Sequence, residues 1–106
     1  LFFSKVELGI ASDLKSLNKR IKNKINSGII FLFTEIENKI TISVGISDDL
    51  VSKNLKAGDL VKSIASELQG GGGGKEDFAM AGIPHTNEDN LKAIVEKIIL
   101  SILEEI

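Results

Sequence analysis

The sequence predicts an α/β (α+β) domain: a two-layer sandwich on a mixed or antiparallel sheet of about four strands with three helices, in the order β-α-β-β-α-β-α. Three observations carry this. Apolar residues recur at helical spacing in three stretches, Ile40–Ile46 alternates apolar and small polar residues, and turn-forming residues separate the segments.

Phe2–Leu8 carries Phe3, Val6 and Leu8 in a β-compatible pattern closed by Gly9, and reads as the first strand. Leu14, Leu17, Ile21 and Ile25 then mark one face of a helix over 13–26, which Ser12 or Asp13 can cap. Asn26-Ser27-Gly28 ends it, and the Ile- and Phe-rich run Ile29–Ile36 reads as a central strand. Across the polar turn Glu37-Asn38-Lys39, Ile40, Ile42, Val44 and Ile46 alternate with Thr41, Ser43 and Gly45, giving a second strand and a hairpin. Asp48–Lys53 has room for one helical turn. Leu60, Val61, Ile64, Ala65 and Leu68 form the stripe of a helix over 58–69, with Gly70 placed to stop it in a left-handed conformation. Phe78–Ile83 is apolar and short enough for a last strand. Thr86 or Asn87 starts a final helix over 88–105, with Glu88 and Asp89 favourable at its positive end. Leu91, Ile94, Val95, Ile98, Ile99, Ile102 and Leu103 would face inward, and Leu100 widens this face beyond one core contact, enough to cover a partner or a lost neighbouring helix.

A chain of 106 residues makes one domain, 1–106, and its 42% hydrophobic and 26% charged residues are those of a globular protein. No apolar run approaches the ~20 residues of a membrane span. The absence of cysteine removes disulfides, thiolate nucleophiles and cysteine-based zinc sites, leaving His85 as the one imidazole. The opening residues lack both Met and the features of a signal peptide, so the expectation is a cytoplasmic fragment of a larger protein. The net charge of −2 hides an asymmetry: residues 1–75 hold 11 Lys/Arg and 8 Asp/Glu, and residues 76–106 hold 2 and 7. A basic half of this kind permits an anionic partner.

Lys15, Lys19, Arg20, Lys22 and Lys24 fall on the side of helix 13–26 away from Leu14, Leu17 and Ile21. Such a stripe is commonly a solvated face. Here Asp13 is the one acidic residue in the helix, so i,i+4 pairing does not compensate the charge. An uncompensated stripe suits a phosphate backbone, and five to seven phosphate contacts would give a log–log salt slope of roughly −4 to −6.

Gly70, Gly71, Gly72, Gly73 and Gly74 read alone as a flexible linker. They contain no serine, however, lie between a predicted helix and a predicted strand, and run directly into Lys75. Without Cβ atoms, successive amides can approach an anion and form a nest beside that lysine. Glu76 stands where a Walker loop needs Ser or Thr, so nucleotide hydrolysis is not supported.

The segment Gly70-Gly71-Gly72-Gly73-Gly74-Lys75-Glu76-Asp77-Phe78-Ala79-Met80-Ala81-Gly82 resembles the glycine-rich signature near the C-terminus of alanyl-tRNA synthetases. Asp59-Leu60-Val61-Lys62-Ser63-Ile64-Ala65 resembles the helix that precedes it there. With the strands and the basic helix, the likeness covers nearly the whole chain. It departs at Met80, where a polar residue is commoner, and at Ile83, often a glycine. The resemblance implies a non-catalytic, elbow-contacting tRNA-binding C-terminal module of alanine–tRNA ligase, assisting aminoacylation and editing, with dimerisation in some members. The implied partners are alanine-specific tRNA, the rest of the synthetase and a second copy. It implies no cofactor for these residues, and ATP, magnesium and zinc for the parent enzyme. The implied RNA-binding residues are Gly70–Gly74 and Lys75, with the basic helix in support. The same domain type serves as the nucleic-acid or nucleotide substrate-binding domain of metal-dependent DHH-type phosphoesterases. Those relatives usually carry histidine after the glycines, where this chain has Lys75.

Other residues are weaker candidates. His85, after Pro84 and without a second imidazole, fits a capping or solvent-facing role better than a metal site. Phe31 and Phe33 belong to a core-like run, whereas Phe78 fits either core or stacking. Asp48-Asp49 and Glu104-Glu105 are sequence neighbours whose side chains diverge, which makes poor acid–base pairs.

Overall fold

The structure, a computed structural model, describes residues 2–6 and 12–104. The predicted continuation of the first strand to Leu8, its closure at Gly9, the capping side chains of Ser12 and Asp13, and the Glu104-Glu105 pair lie outside that description in whole or in part.

The elements are β1 (Phe2–Lys5), α1 (Ser12–Lys22), β2 (Ile29–Ile36), β3 (Lys39–Ile46), α2 (Asp48–Val51), α3 (Ala57–Glu67), β4 (Gly71–Gly74), β5 (Phe78–Pro84) and α4 (Glu88–Glu104). They build one mixed sheet in the order β1-β2-β3-β5-β4, with β1 parallel to β2 and the other neighbours antiparallel. The β2–β3 hairpin turns on Glu37 and Asn38, at φ 53° and 66°, the paired left-handed residues whose twist matches that of the strands.

Because side chains alternate across a strand, β2 feeds both faces of the sheet. Ile29, Phe31 and Phe33 join Ile40, Ile42, Val44, Ile46, Ala79, Ala81 and Ile83 under α3 and α4, with Phe3 stacked on Phe31 at 5.1 Å between ring centroids. Ile30 and Leu32 face the other way and pack with Leu14, Leu17, Ile21 and Met80. Helices therefore flank both faces, and α1 adds a partial third layer to the predicted sandwich. Two further differences concern α4 and α1. Leu91, Val95 and Ile99 are buried, but Leu103, predicted to face inward, is 45% exposed. The first helix stops at Lys22, where Lys24 N donates to Ile21 O at 3.0 Å in a tightened last turn, so Lys24 lies beyond it.

A buried polar contact fixes where α1 sits. Asn18, fully buried, donates from Nδ2 to Ser43 Oγ at 3.0 Å, and Ser43 Oγ donates to Leu32 O at 3.3 Å. A Cβ on Gly45 would collide with the Asn18 side chain, so the glycine makes room for it. The contact centres α1 over β2 and β3, with Met80 of β5 at its margin, leaving the same face of β4 and of β5 beyond Met80 uncovered.

The glycine run is a fifth strand. Its residues pair with β5 in the register Gly71↔Gly82 to Gly74↔Ala79. Cβ atoms at Gly70, Gly72 and Gly74 would press into β5, that of Gly74 lying 2.6 Å from Ala79 Cα and 2.7 Å from Phe78 O. Gly71 faces open space, and Gly73 meets Lys62 Cε at 3.4 Å. The entropy lost by ordering glycine is offset by a strand approach that no side chain would allow. Gly70 does not end α3 as the sequence suggested. Gln69 takes the left-handed position at φ 62°, and Gly70 N donates back to Ala65 O at 2.7 Å, closing the helix C-terminus. A left-handed residue with a Cβ costs ~1–2 kcal/mol.

At the other helix end that the sequence placed well, Asn87 Oδ1 accepts from Asn90 N at 2.7 Å and caps α4. Asp49, in α2, accepts from Ser27 Oγ and Ser47 Oγ, each at 2.5 Å, and Gly28 N donates to Ser47 Oγ at 2.9 Å. These bonds tie the start of β2 to the end of β3.

Candidate nucleic-acid interface

The site is built around the turn Lys75–Asp77 between β4 and β5. Lys75 N donates to Phe78 O at 2.9 Å, and Ile46 N donates to Asp77 O at 2.9 Å. The first amides of α3 complete the support, Ala57 N donating to Glu76 O at 2.8 Å and Gly58 N to Lys75 O at 3.0 Å. The helix start has no side-chain cap, so the turn carbonyls satisfy amides that would otherwise be orphaned. Gly58 permits the approach, since a Cβ there would stand 2.9 Å from Gly74 O.

Lys75 and Phe78 form a hydrogen-bonded pair, so the alternation of an antiparallel ladder makes Gly74–Ala79 and Gly72–Ala81 the non-hydrogen-bonded pairs. The amides of Gly72 and Gly74 are thereby turned away from β5, on the outermost strand of the sheet. The glycines act as an edge strand with alternate free amides, in place of the expected nest.

Beside the turn is a groove of about 340 Å³. Lys15 and Lys19 line one wall, Gly73, Gly74 and Lys75 the other, and Phe78 and Met80 line it from β5. Phe78 and Met80 alternate with Ala79 and Ala81, which face the core. Asp77 reaches across to α1 and accepts from Lys22 Nζ at 3.2 Å. Burial alone would raise the Asp77 carboxyl, but the hydrogen bond and charge of Lys22, with the charge of Lys75, outweigh it and hold the carboxyl below its usual value. Lys56 faces Glu76 at 3.9 Å outside the groove. Among the described residues no carboxylate pairs with Lys15, Lys19 or Lys75. The groove thus offers three ammonium groups outside any salt bridge, with one carboxylate, Asp77, held by Lys22 at its rim, beside exposed backbone amides, an arrangement suited to phosphate oxygens.

The sequence-derived candidates divide accordingly. Lys15, Lys19, Gly73, Gly74 and Lys75 share the groove, with Gly71 and Gly72 continuing its strand. Lys22, its side chain 17% exposed, is engaged by Asp77. Arg20 and Lys24 are exposed outside the groove lining, and Gly70 lines a separate groove at the far end of β4. Phe78, which the sequence left between core and stacking, lines the groove, whereas Met80 and the Lys22–Asp77 pair were missed. The two-residue alternation of Phe78–Ala81 was a signal for Met80, but the pair spans a distance that periodicity does not encode. His85 donates from Nδ1 to Glu35 Oε2 at 2.6 Å. No group of three or more His, Cys, Asp or Glu side chains able to hold a metal is gathered among the described residues, and no described helix is long and apolar enough to cross a membrane.

Comparison with known proteins identifies the family and the fold. The DHHA1 domain family matches residues 2–104. The chain is 38% identical over 96 residues to an alanine–tRNA ligase of Pediococcus pentosaceus, covering 91% of the chain and 11% of that protein. It is 42% identical over 72 residues to that of Natranaerobius thermophilus, covering 68% of the chain and 8% of that protein. It therefore spans about a tenth of the length of the curated relatives it matches. Among solved structures, the C-Ala domain of Aquifex aeolicus alanyl-tRNA synthetase superposes with TM-score 0.81 at 20% identity, covering 92% of this chain and 87% of that one. The DHH domain of a protein described as a member of the s1p family of ribosomal proteins superposes with TM-score 0.61 at 15% identity, covering 92% and 25%. At these identities the two structures share the fold.

Proposed function

Since the chain belongs to the DHHA1 domain family, we propose that it is the tRNA-binding C-terminal module of an alanine–tRNA ligase, contacting the elbow of alanine-specific tRNA. The observation that carries this reading is the groove in which Lys15, Lys19 and Lys75 stand beside the edge amides of β4. Ammonium groups and amides bind the phosphate backbone by charge and shape, with little reading of base sequence. Aminoacylation, with the ATP, magnesium and zinc implied for it, belongs to the rest of a cytoplasmic synthetase, and this module holds the tRNA for both aminoacylation and editing.

Salt dependence tests the reading. Three lysine–phosphate contacts give a log–log slope of roughly −2 to −3 by the duplex coefficient, shallower than the sequence suggested because Lys22 is occupied and Arg20 and Lys24 lie elsewhere. Lys75→Ala flattens the slope on intact alanine tRNA by about one. An unchanged slope in Lys75→Ala and in Lys15→Ala removes the groove from the binding surface.

A second, compatible role is dimerisation. Leu100 and Leu103, 60% and 45% exposed, line an apolar groove with Phe3, Leu50 and Ile99, large enough at about 640 Å³ for side chains of a second copy. The alternative parent is a DHH-type phosphoesterase, against which stand the relatives at 38% and 42% identity, both alanine–tRNA ligases. The sequence beyond these residues decides it, through an ATP-binding synthetase domain or Asp/His metal motifs.

A further inference from the structure

We propose that the far end of the uncovered β5–β4 face is a second subsite that takes a single unpaired nucleobase, an inference that rests on the phosphate-groove reading above. The face left bare by α1 continues past Met80 to Gly82 and Thr41, which are register partners. There it opens into a separate groove of about 530 Å³ lined by Asn38, Lys39, Thr41, Gln69, Gly82 and His85, among others. Gly74 and Gly70 mark the two grooves, four residues apart, or roughly 13 Å at the rise of a strand. That is on the order of two nucleotide steps of an extended chain.

The two ends differ in chemistry. The first groove carries three ammonium groups beside the backbone of β4. The second carries one, Lys39, beside two side-chain amides, a hydroxyl and an imidazole around glycine, groups that match the donors and acceptors on a base edge. Glu35 Oε2 accepts from His85 Nδ1 at 2.6 Å and anchors the half-exposed ring among the groove's lining residues, where it can stack on a splayed base.

Backbone strain at the same place is an independent pointer. Gln69 holds φ 62° at the end of α3, a position that glycine fills without cost and that directly precedes five glycines. A strained side chain kept where a glycine would relax the backbone, and lining a groove, points to use of that side chain. Asn38, at φ 66°, lines the groove from the opposite strand end.

The test compares a hairpin RNA carrying an unpaired loop with a blunt duplex of the same stem. His85→Ala weakens loop binding about tenfold, as loss of one stacked base does, leaves duplex binding and the salt slope unchanged, and is rescued by His85→Phe. Gln69→Gly weakens loop binding while raising the melting temperature, so the loss is not one of folding. Loop binding at wild-type strength in His85→Ala and Gln69→Gly, or equal weakening on loop and duplex, overturns the subsite. If Lys75→Ala still flattens the slope in that case, the phosphate groove stands without it. If the wild-type chain binds neither RNA, both readings fall together.

Discussion

Replacing the glycines of β4 by alanine one at a time should alternate in effect along the strand. At Gly74 an added Cβ would lie 2.6 Å from Ala79 Cα, 2.7 Å from Ala79 Cβ and 2.7 Å from Phe78 O. Carbon contacts relax at about 3.5–4.0 Å, so each pair is too close by roughly 1 Å. Two of those atoms are backbone in a paired strand and cannot rotate away, so β4 must withdraw from β5. Overpacking of this kind costs ~1–3 kcal/mol, which lowers the melting temperature by roughly 4–15 °C for a domain near 100 residues. Gly72 sits against Ala81 in the same way and should behave alike. At Gly71 nothing lies within 4 Å, so alanine there is neutral or stabilises by up to ~1 kcal/mol through the unfolded chain. Thermal melts of Gly71→Ala, Gly72→Ala and Gly74→Ala read the pattern directly. Equal effects at all three positions, or none at any, would refute the tightly paired glycine strand and return the segment to a linker.

Gln69→Gly should stabilise the chain by ~1 kcal/mol, read as a higher urea midpoint, because it removes a left-handed side chain. Stability should fall in acid. The folded-state carboxyls of Asp49, held down by Ser27 and Ser47, and of Asp77, held down chiefly by Lys22 against the effect of burial, lie below their unfolded values. Their stabilisation is therefore present above about pH 4 and lost as pH falls through the folded values. Asp49→Asn and Asp77→Asn should flatten that acid limb in urea titrations at pH 2–6, and an unchanged limb would contradict the assignment. Leu100→Glu should shift the chain toward the monomer in sedimentation at high concentration, and an unchanged mass removes α4 from any dimer interface.

The parts of the fold that announce themselves through side chains were legible in the sequence. Ile40–Ile46 alternates because one face lies under α3 and α4 while the other meets α1 and the bare shelf, and Leu60, Val61, Ile64 and Ala65 fall on the buried side of α3. The glycine strand was illegible because strand signals are patterns of side chains, which glycine lacks; its pairing is set by Ala79 and Ala81 on the neighbouring strand. Placement of α1 depended on Asn18, Ser43 and Gly45, a polar contact that hydrophobic periodicity ignores. The run Ile29–Phe33 did hold the clue to helices on both faces, since a strand apolar at successive positions is covered on each side. In the candidate site, Lys15, Lys19 and Lys75 were found because charge is visible in a sequence. The engagement of Lys22 by Asp77 was not, because 55 residues separate the partners.

The central claim is that the groove between α1 and the β4–β5 turn holds the phosphate backbone of folded tRNA. The most direct test is equilibrium binding of the chain to intact alanine tRNA and to an acceptor-stem hairpin lacking the elbow, each from 50 to 200 mM salt. The claim predicts tighter binding to the intact tRNA, weakening about 40-fold across that range at three phosphate contacts and about 12-fold in Lys75→Ala. Equal affinity for the two RNAs, or binding to intact tRNA that salt and Lys75→Ala leave unchanged, would contradict it.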